Sequence, residues 1–190
     1  MKYDNFELAL SGGHPNSLGN TVEVVDVVLK NPERFEELFE CYFCEDEVVR
    51  LRVSSCIKRI QKVKPDLVYG YIDRFLDDVS KIDQASTQWT LAQLFLVMEK
   101  KLTDREKQKA INIMKRNLQK SDDWIVLIQS MVTLGQWAKD DQNLAKWLRP
   151  ILIKLSKDER KSVAGKSKKW VGHTYLTVGF FKIKYPTSLK

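Results

Sequence analysis

Cys41-x-x-Cys44 is the closest approach in this sequence to a metal or redox motif. A tetrahedral zinc site needs about four nitrogen or sulfur ligands. Cys56 offers a third sulfur, but His14 and His173 are remote from the pair in the sequence. The motif also lies inside an amphipathic helical pattern, where a free cysteine packs as a small hydrophobic residue. We therefore expect packed thiols, with no metal and no cofactor.

Other enzyme signatures are absent from the sequence. It has no phosphate-binding Gly-rich loop, no His-Glu-x-x-His motif and no Ser nucleophile elbow. With only two histidines there is little material for a His-based triad. We predict no catalytic residues. Missing motifs do not exclude catalysis, so enzyme activity stays open, with a non-enzymatic role favoured.

The sequence has five tryptophans, and two of them, Trp89 and Trp124, lie near the start of a predicted helix. They could form an aromatic ladder that stacks on bases or grips a peptide. Packing between helices is the alternative that we favour, because aromatic side chains dominate core energetics.

Positive charge is concentrated toward the C-terminus. The net charge is +7, and residues 143–190 hold 12 Lys and Arg against two acids, a local balance of +10. Lysines at this end could bind phosphates independently of base sequence and in a salt-sensitive way. A solvated polar cap on a repeat array explains the same composition, and we favour it.

Length and composition indicate a soluble protein of one or at most two domains. The 190 residues are 43% hydrophobic and 30% charged. No apolar run approaches the roughly 20 residues that span a bilayer, and the first ten residues carry acids and lack a secretory signal pattern. We expect a cytoplasmic protein with no membrane partner.

A pattern that returns every 35 to 40 residues must position these side chains. Four times an amphipathic helical segment is followed by a second one, and the second segments open near Asp46, Ser86, Asp122 and Arg160. Such pairs are too small to bury their apolar faces alone, so they stack. We also expect a helix at residues 21–30, because a lone strand would leave its backbone groups unpaired.

Two capping boxes predict helix starts in the second half of the array. Thr103-x-x-Glu106 and Ser156-x-x-Glu159 place a hydroxyl and a carboxylate so that each can bond the other residue's backbone N–H. Residues 171–185 alternate polar and apolar types loosely, and both a closing helix and an extended cap are compatible with that pattern.

The repeat resembles the HEAT-repeat (armadillo-like) family of α-solenoids. The best match runs from Asp46-Glu47-Val48-Val49-Arg50 through Val53-Ser54-Ser55-Cys56-Ile57 to Pro65. The resemblance implies an all-α fold, a right-handed α-solenoid of about four HEAT-like helical hairpins. We predict a lead-in segment at 1–20 and a single repeat domain at 21–190.

The second helices of this family usually line its concave face, which implies a shared groove. The resemblance points seven basic residues into it, and Lys166, Trp89 and Trp124 complete the candidate binding set. The seven are Arg52, Lys58, Arg59, Lys62, Lys161, Lys168 and Lys169.

The function that we favour is a non-enzymatic module that binds a protein partner on this concave face. The alternative is nucleic-acid binding through the basic C-terminal half, including DNA repair, since HEAT-like alkylbase glycosylases pair a Trp with a carboxylate. Asp122-Asp123-Trp124 is the nearest approach, although both acids also suit a helix start. No carboxylate lies one turn beyond Trp124 or Trp89, where Ile128 and Gln93 stand.

Overall fold

Every regular element of the computed structural model is helical within the residues that it describes, 3–14 and 16–179. Side chains are described as far as residue 172. The α-helices are α1 (Phe6–Leu10), α2 (Thr21–Lys30), α3 (Phe35–Glu40), α4 (Glu47–Val63), α5 (Pro65–Tyr69), α6 (Ile72–Asp77), α7 (Ala85–Val97), α8 (Asp104–Lys120), α9 (Trp124–Trp137), α10 (Gln142–Leu155) and α11 (Lys161–Gly179). Short 3₁₀ helices occupy Pro32–Arg34, Cys41–Phe43, Val79–Lys81 and Glu99–Lys101.

The all-α prediction is confirmed for this part of the chain. Residues 21–30 form the expected helix, α2, and the lead-in at 1–20 contains α1. α11 runs to Gly179, so the segment that begins at residue 171 is helical as far as it is described, and residues 180–190 lie outside the described residues. None of the described helices combines the length and apolar character needed to cross a membrane.

The chain divides into two compact units, and the boundary between residues 110 and 111 falls inside α8. In the first unit, α4 packs against α1, α2, α5 and α7. In the second unit, α9, α10 and α11 pack against one another. The single domain at 21–190 stays a prediction.

Aspartates begin three of the long helices. Asp46, Asp123 and Asp141 lie just before α4, α9 and α10, and each carboxylate accepts two backbone N–H groups of the first turn. A carboxylate at this position satisfies donors that lack an intrahelical partner and complements the helix dipole. The helices therefore start where these residues stand in the sequence.

Of the two predicted capping boxes, one is confirmed and one is wrong. The backbone N–H of Thr103 donates to Glu106 Oε2 at 2.7 Å, and that of Glu106 donates to Thr103 Oγ1 at 3.3 Å. Ser156 instead lies at the end of α10, where its hydroxyl donates to the Ile153 carbonyl at 2.7 Å. A hydroxyl that bonds the last turn of one helix does not cap the next.

A buried arginine ties the loop after α1 to α4. Arg52 is 3% exposed, and its guanidinium donates to five backbone carbonyls, one at the end of α1 and four in the loop. The acceptors are Leu10 and Gly12 at 2.6 Å and Ser11, His14 and Ser17 at 3.2 Å. Gly19, with φ +52°, closes the loop, and a Cβ there would lie 2.9 Å from the guanidinium carbon. The lead-in segment is thus part of the first unit's packing.

A tryptophan fills the space beside a glycine in the second unit. Trp170 on α11 is 7% exposed and packs on the backbone of α9 at Gly135. A Cβ built on Gly135 would lie 2.5 Å from the Trp170 ring. The close approach of α9 and α11 at this point therefore needs a residue without a side chain.

Candidate interaction groove

A groove of about 500 Å³ lies between α4 and α7 in the first unit. α4 contributes polar and basic side chains, and α7 contributes mainly aliphatic ones. The lining residues are Ser55, Lys58, Arg59, Gln61 and Lys62 from α4, and Gln93, Leu94, Leu96 and Val97 from α7. Three of the candidate binding residues, Lys58, Arg59 and Lys62, therefore meet at one place.

The helical period places these three cations on one side of α4. Lys58 and Lys62 are four residues apart, so they lie on one face about 6 Å apart along the helix axis. On the core side, Ile57 and Ile60 are fully buried. The same helix thus buries an apolar stripe and presents a basic one.

The groove cations have no carboxylate partner in the described part of the chain. None of Lys58, Arg59 and Lys62 takes part in an ion pair there. Burial lowers the pKa of Lys58 from its ordinary value, and the neighbouring charges of Lys62 and Arg59 lower it further. This uncompensated positive charge favours an anionic ligand.

We expect the substitution Lys62→Gln to raise the pKa of the Lys58 ammonium. Removing a positive neighbour favours the charged form of Lys58, but burial, the largest cause of the shift, remains. The pKa should therefore return only part of the way to its ordinary value. An NMR pH titration of the Lys58 side chain measures it, with Lys100→Gln as a control because Lys100 is exposed and outside the groove lining. Equal pKa values in both variants would contradict the electrostatic coupling.

The α7 wall of the groove is partly uncovered hydrophobic surface. Val97, the last residue of α7, is 59% exposed, and Leu96 beside it is half-buried. Gln93 adds an amide that can donate and accept hydrogen bonds. These residues are not among the binding residues predicted from the sequence. The sequence signal that could have identified this wall is Val97, an apolar residue outside the buried stripe of α7.

Comparison with known proteins gives no match, either to a protein family, to a characterised protein or to a solved structure. The resemblance to HEAT repeats therefore stays a prediction. The function is inferred instead from the groove and from the chemistry of its lining.

Two candidate residues of the first unit lie outside the groove lining. Arg52 is buried and bonded to loop carbonyls, which departs from the groove-lining position that the HEAT resemblance implied. Its guanidinium joins α4 to the loop after α1 and is not accessible to a partner. Trp89 is half-buried on α7, one turn before Gln93, and is not among the residues that line the groove.

The remaining candidates belong to the second unit. Trp124, the first residue of α9, is 48% exposed. Arg160 Nη1 donates to the Asp122 carbonyl at 2.5 Å, which joins the starts of α9 and α11 and places Trp124 and Lys161 at the same end of this unit. Lys168 lies two turns beyond Lys161 on one exposed face of α11.

The other two candidate lysines of α11 lie outside that face. Lys169 is exposed on its flank, and Lys166 is half-buried on a different side of the helix. Asp123, the carboxylate nearest to Trp124 in the sequence, accepts the backbone N–H groups of Ile125 and Val126 at 2.8 and 2.9 Å. That acid therefore has a structural role at the helix start.

The three cysteines are free thiols. Cys41 and Cys56 are buried, and burial raises the pKa of both to about 12. Cys44 is half-buried, and burial raises its pKa as well. A protonated thiol is a weak nucleophile and a weak metal ligand. Among the described residues there is no group of three or more His, Cys, Asp or Glu that could hold a metal ion.

Proposed function

We propose that this protein is a non-enzymatic interaction module that binds a segment of a protein partner in the α4–α7 groove. The observation that carries the proposal is the juxtaposition of three cations, Lys58, Arg59 and Lys62, with exposed aliphatic surface at Val97. A groove between two packed helices is already formed before binding, so less conformational entropy is lost on association.

We further propose the HEAT-like architecture that the sequence implied, a right-handed α-solenoid of about four helical hairpins in which second helices carry the binding face. The regular spacing of the second helices supports it. α4, α7, α9 and α11 begin at Glu47, Ala85, Trp124 and Lys161, which are 38, 39 and 37 residues apart. A near-constant period is typical of stacked repeats.

Nucleic-acid binding through the second unit is the alternative. Exposed Trp124 lies at the same end of this unit as Lys161, and an exposed aromatic ring beside basic residues can stack on a base while lysine contacts phosphate. The acids Asp122, Asp123 and Asp158 at the same end oppose a polyanion. We therefore favour the protein partner.

The proposal is tested by selecting peptides from a displayed random library against the intact protein. The groove variant changes Lys58, Arg59 and Lys62 to glutamine. We expect selected peptides to bind this variant at least about tenfold more weakly than the natural chain, because it removes three cations, each of which can contribute up to about 1 kcal/mol to binding through an ion pair.

A control variant changes Lys30, Lys81 and Lys100 to glutamine. These lysines are exposed in the first unit and outside the groove lining, so the net charge changes equally. Peptides that bind the two variants equally well would overturn the groove proposal.

A DNA and RNA mobility shift at two salt concentrations tests the nucleic-acid alternative. A salt-sensitive shift weakened by changing Lys168 and Lys169 to alanine would support it.

A further inference from the structure

We propose that the segment bound in the α4–α7 groove is acidic and extended, with an apolar side chain next to a pair of carboxylates two residues apart. This inference rests on the proposed function and narrows it from any protein partner to one chemical class of peptide. It follows from the spacing of the cations, the size of the groove and the nature of its second wall.

The spacing of the cations matches an extended acidic segment. Lys58 and Lys62 are separated by about 6 Å along α4, and residues two apart in an extended chain are separated by about 6.6 Å on the same face. Two carboxylates in the order acid-x-acid can therefore each meet one ammonium group. Arg59, next to Lys58, can bond a carboxylate through two N–H groups.

The groove volume fits a short stretch of extended chain. At about 500 Å³ the groove is within the roughly 300–1,000 Å³ typical of small-ligand pockets. A helix that binds in a groove lays an apolar face into an apolar channel, whereas one wall of this groove is basic and polar. The groove is therefore suited to a few residues of a peptide.

The α7 wall adds a requirement for an apolar side chain. Val97 is 59% exposed and Leu96 is half-buried, and both lie across the groove from the basic residues of α4. An aliphatic or aromatic side chain between or beside the carboxylates would cover this surface and exclude water from it. A purely acidic segment would leave it uncovered.

The same wall argues against a nucleic acid in this groove. Proteins that bind single strands combine a basic track with aromatic side chains on which bases stack. None of the residues that line the groove is aromatic, and α7 offers aliphatic groups instead. Phosphates could meet the cations, but the bases would find no stacking partner.

The electrostatics of Lys58 support an anionic occupant independently of the spacing. Its pKa is lowered by burial and by the positive charges of Lys62 and Arg59. A carboxylate that enters the groove favours the charged form of Lys58, because it offsets the neighbouring positive charges and supplies the ammonium group with a charged hydrogen-bond partner. Binding should therefore raise this pKa.

The test measures how fluorescent peptides from the groove-dependent selection bind the intact protein, by anisotropy. We expect an acid-x-acid pattern beside an apolar residue in the selected peptides. Changing both carboxylates of a peptide to amides should weaken binding at least about tenfold at low salt. Changing the apolar residue to serine should weaken it about fivefold.

A mutant cycle assigns the contacts. If Lys62 meets a peptide carboxylate, Lys62→Gln and the Glu→Gln peptide together should lose less affinity than the product of their separate losses. Val97→Gln, at a largely exposed site that tolerates substitution, should abolish the preference for the apolar peptide over its serine version. Circular dichroism melting checks that each variant is folded.

The outcomes separate this inference from the function on which it rests. If groove-dependent peptides lose less than threefold in affinity when their carboxylates are removed, the inference of an acidic segment is overturned. The groove proposal would remain. Peptides that bind the groove variant as tightly as the natural chain would overturn both proposals. An oligothymidine that binds the groove more tightly than the selected peptides, with the same loss in the groove variant, would show that the occupant is a nucleic acid.

Discussion

Replacing Arg52 with methionine is expected to destabilise the first unit by about 3 kcal/mol. The guanidinium holds five backbone carbonyls between Leu10 and Ser17, two of them at 2.6 Å. Methionine preserves much of the apolar stem but donates no hydrogen bond, so these acceptors lose their partner at once. Most loop residues around Arg52 are exposed, so water can reach several of the carbonyls. The cost is therefore smaller than five full desolvation penalties.

Arg59→Met is the matched control on the same helix. Arg59 is exposed, so its loss should change the free energy of unfolding by no more than about 0.5 kcal/mol. Arg52→Lys keeps the charge but has three donors in place of five, and we expect an intermediate cost of about 1.5 kcal/mol.

Urea unfolding measures these free energies of unfolding. Native-state hydrogen exchange identifies the residues whose local stability changes. Backbone amides in residues 5–20 should exchange faster in Arg52→Met, because the loop loses the side chain that holds it. Equal stability and equal exchange in Arg52→Met and Arg59→Met would contradict the proposed role of Arg52.

Substituting Gly135 with alanine is expected to destabilise the second unit by about 2 kcal/mol. The new methyl group would lie 2.5 Å from the Trp170 ring, so either the indole or the two helices must move. Alanine gains up to about 1 kcal/mol over glycine in a helix, and the clash must exceed that gain. Because Trp170 is buried, its ring has little room to turn aside.

Gly165→Ala is the control, because Gly165 lies in α11 and a Cβ added there would meet no atom within 4 Å. With no clash, only the helix propensity changes, and this variant should be more stable by about 0.5–1 kcal/mol. Thermal and urea unfolding followed by circular dichroism compare the two variants. Stabilisation by both substitutions would show that α9 and α11 do not approach closely at Gly135.

Two arginines of α4 have different surroundings. Arg52 and Arg59 are on the same helix, and both are basic residues outside the aliphatic core stripe of α4. Arg52 is bonded to the loop after α1, whereas Arg59 lines the groove and is available to a ligand. Stability measurements on Arg52 variants and binding measurements on Arg59 variants therefore separate a structural role from a binding role, two turns apart on one helix.

Local chemistry determined the positions of the helices. The 35-to-40-residue period, with a segment that opens near Asp46, and the capping box at Thr103 and Glu106 predict where helices begin. These signals act within a few residues, because an N-cap bonds the first turn and an apolar stripe repeats every three or four residues. The resemblance to HEAT repeats pointed Lys58, Arg59 and Lys62 into one groove, but it pointed Arg52 there as well, which the structure buries.

Tertiary structure alone decided which of these side chains meet another part of the chain. Arg52 bonds carbonyls that lie 35 to 42 residues earlier, and Gly135 meets Trp170, which lies 35 residues later. Val97 reaches the basic stripe only because α7 packs beside α4. The sequence by itself determined the long helices and the starts of α4 and α8, since these depend on near neighbours. Contacts between distant segments depend on how the helices pack, and that packing separated a buried arginine from one that lines a groove.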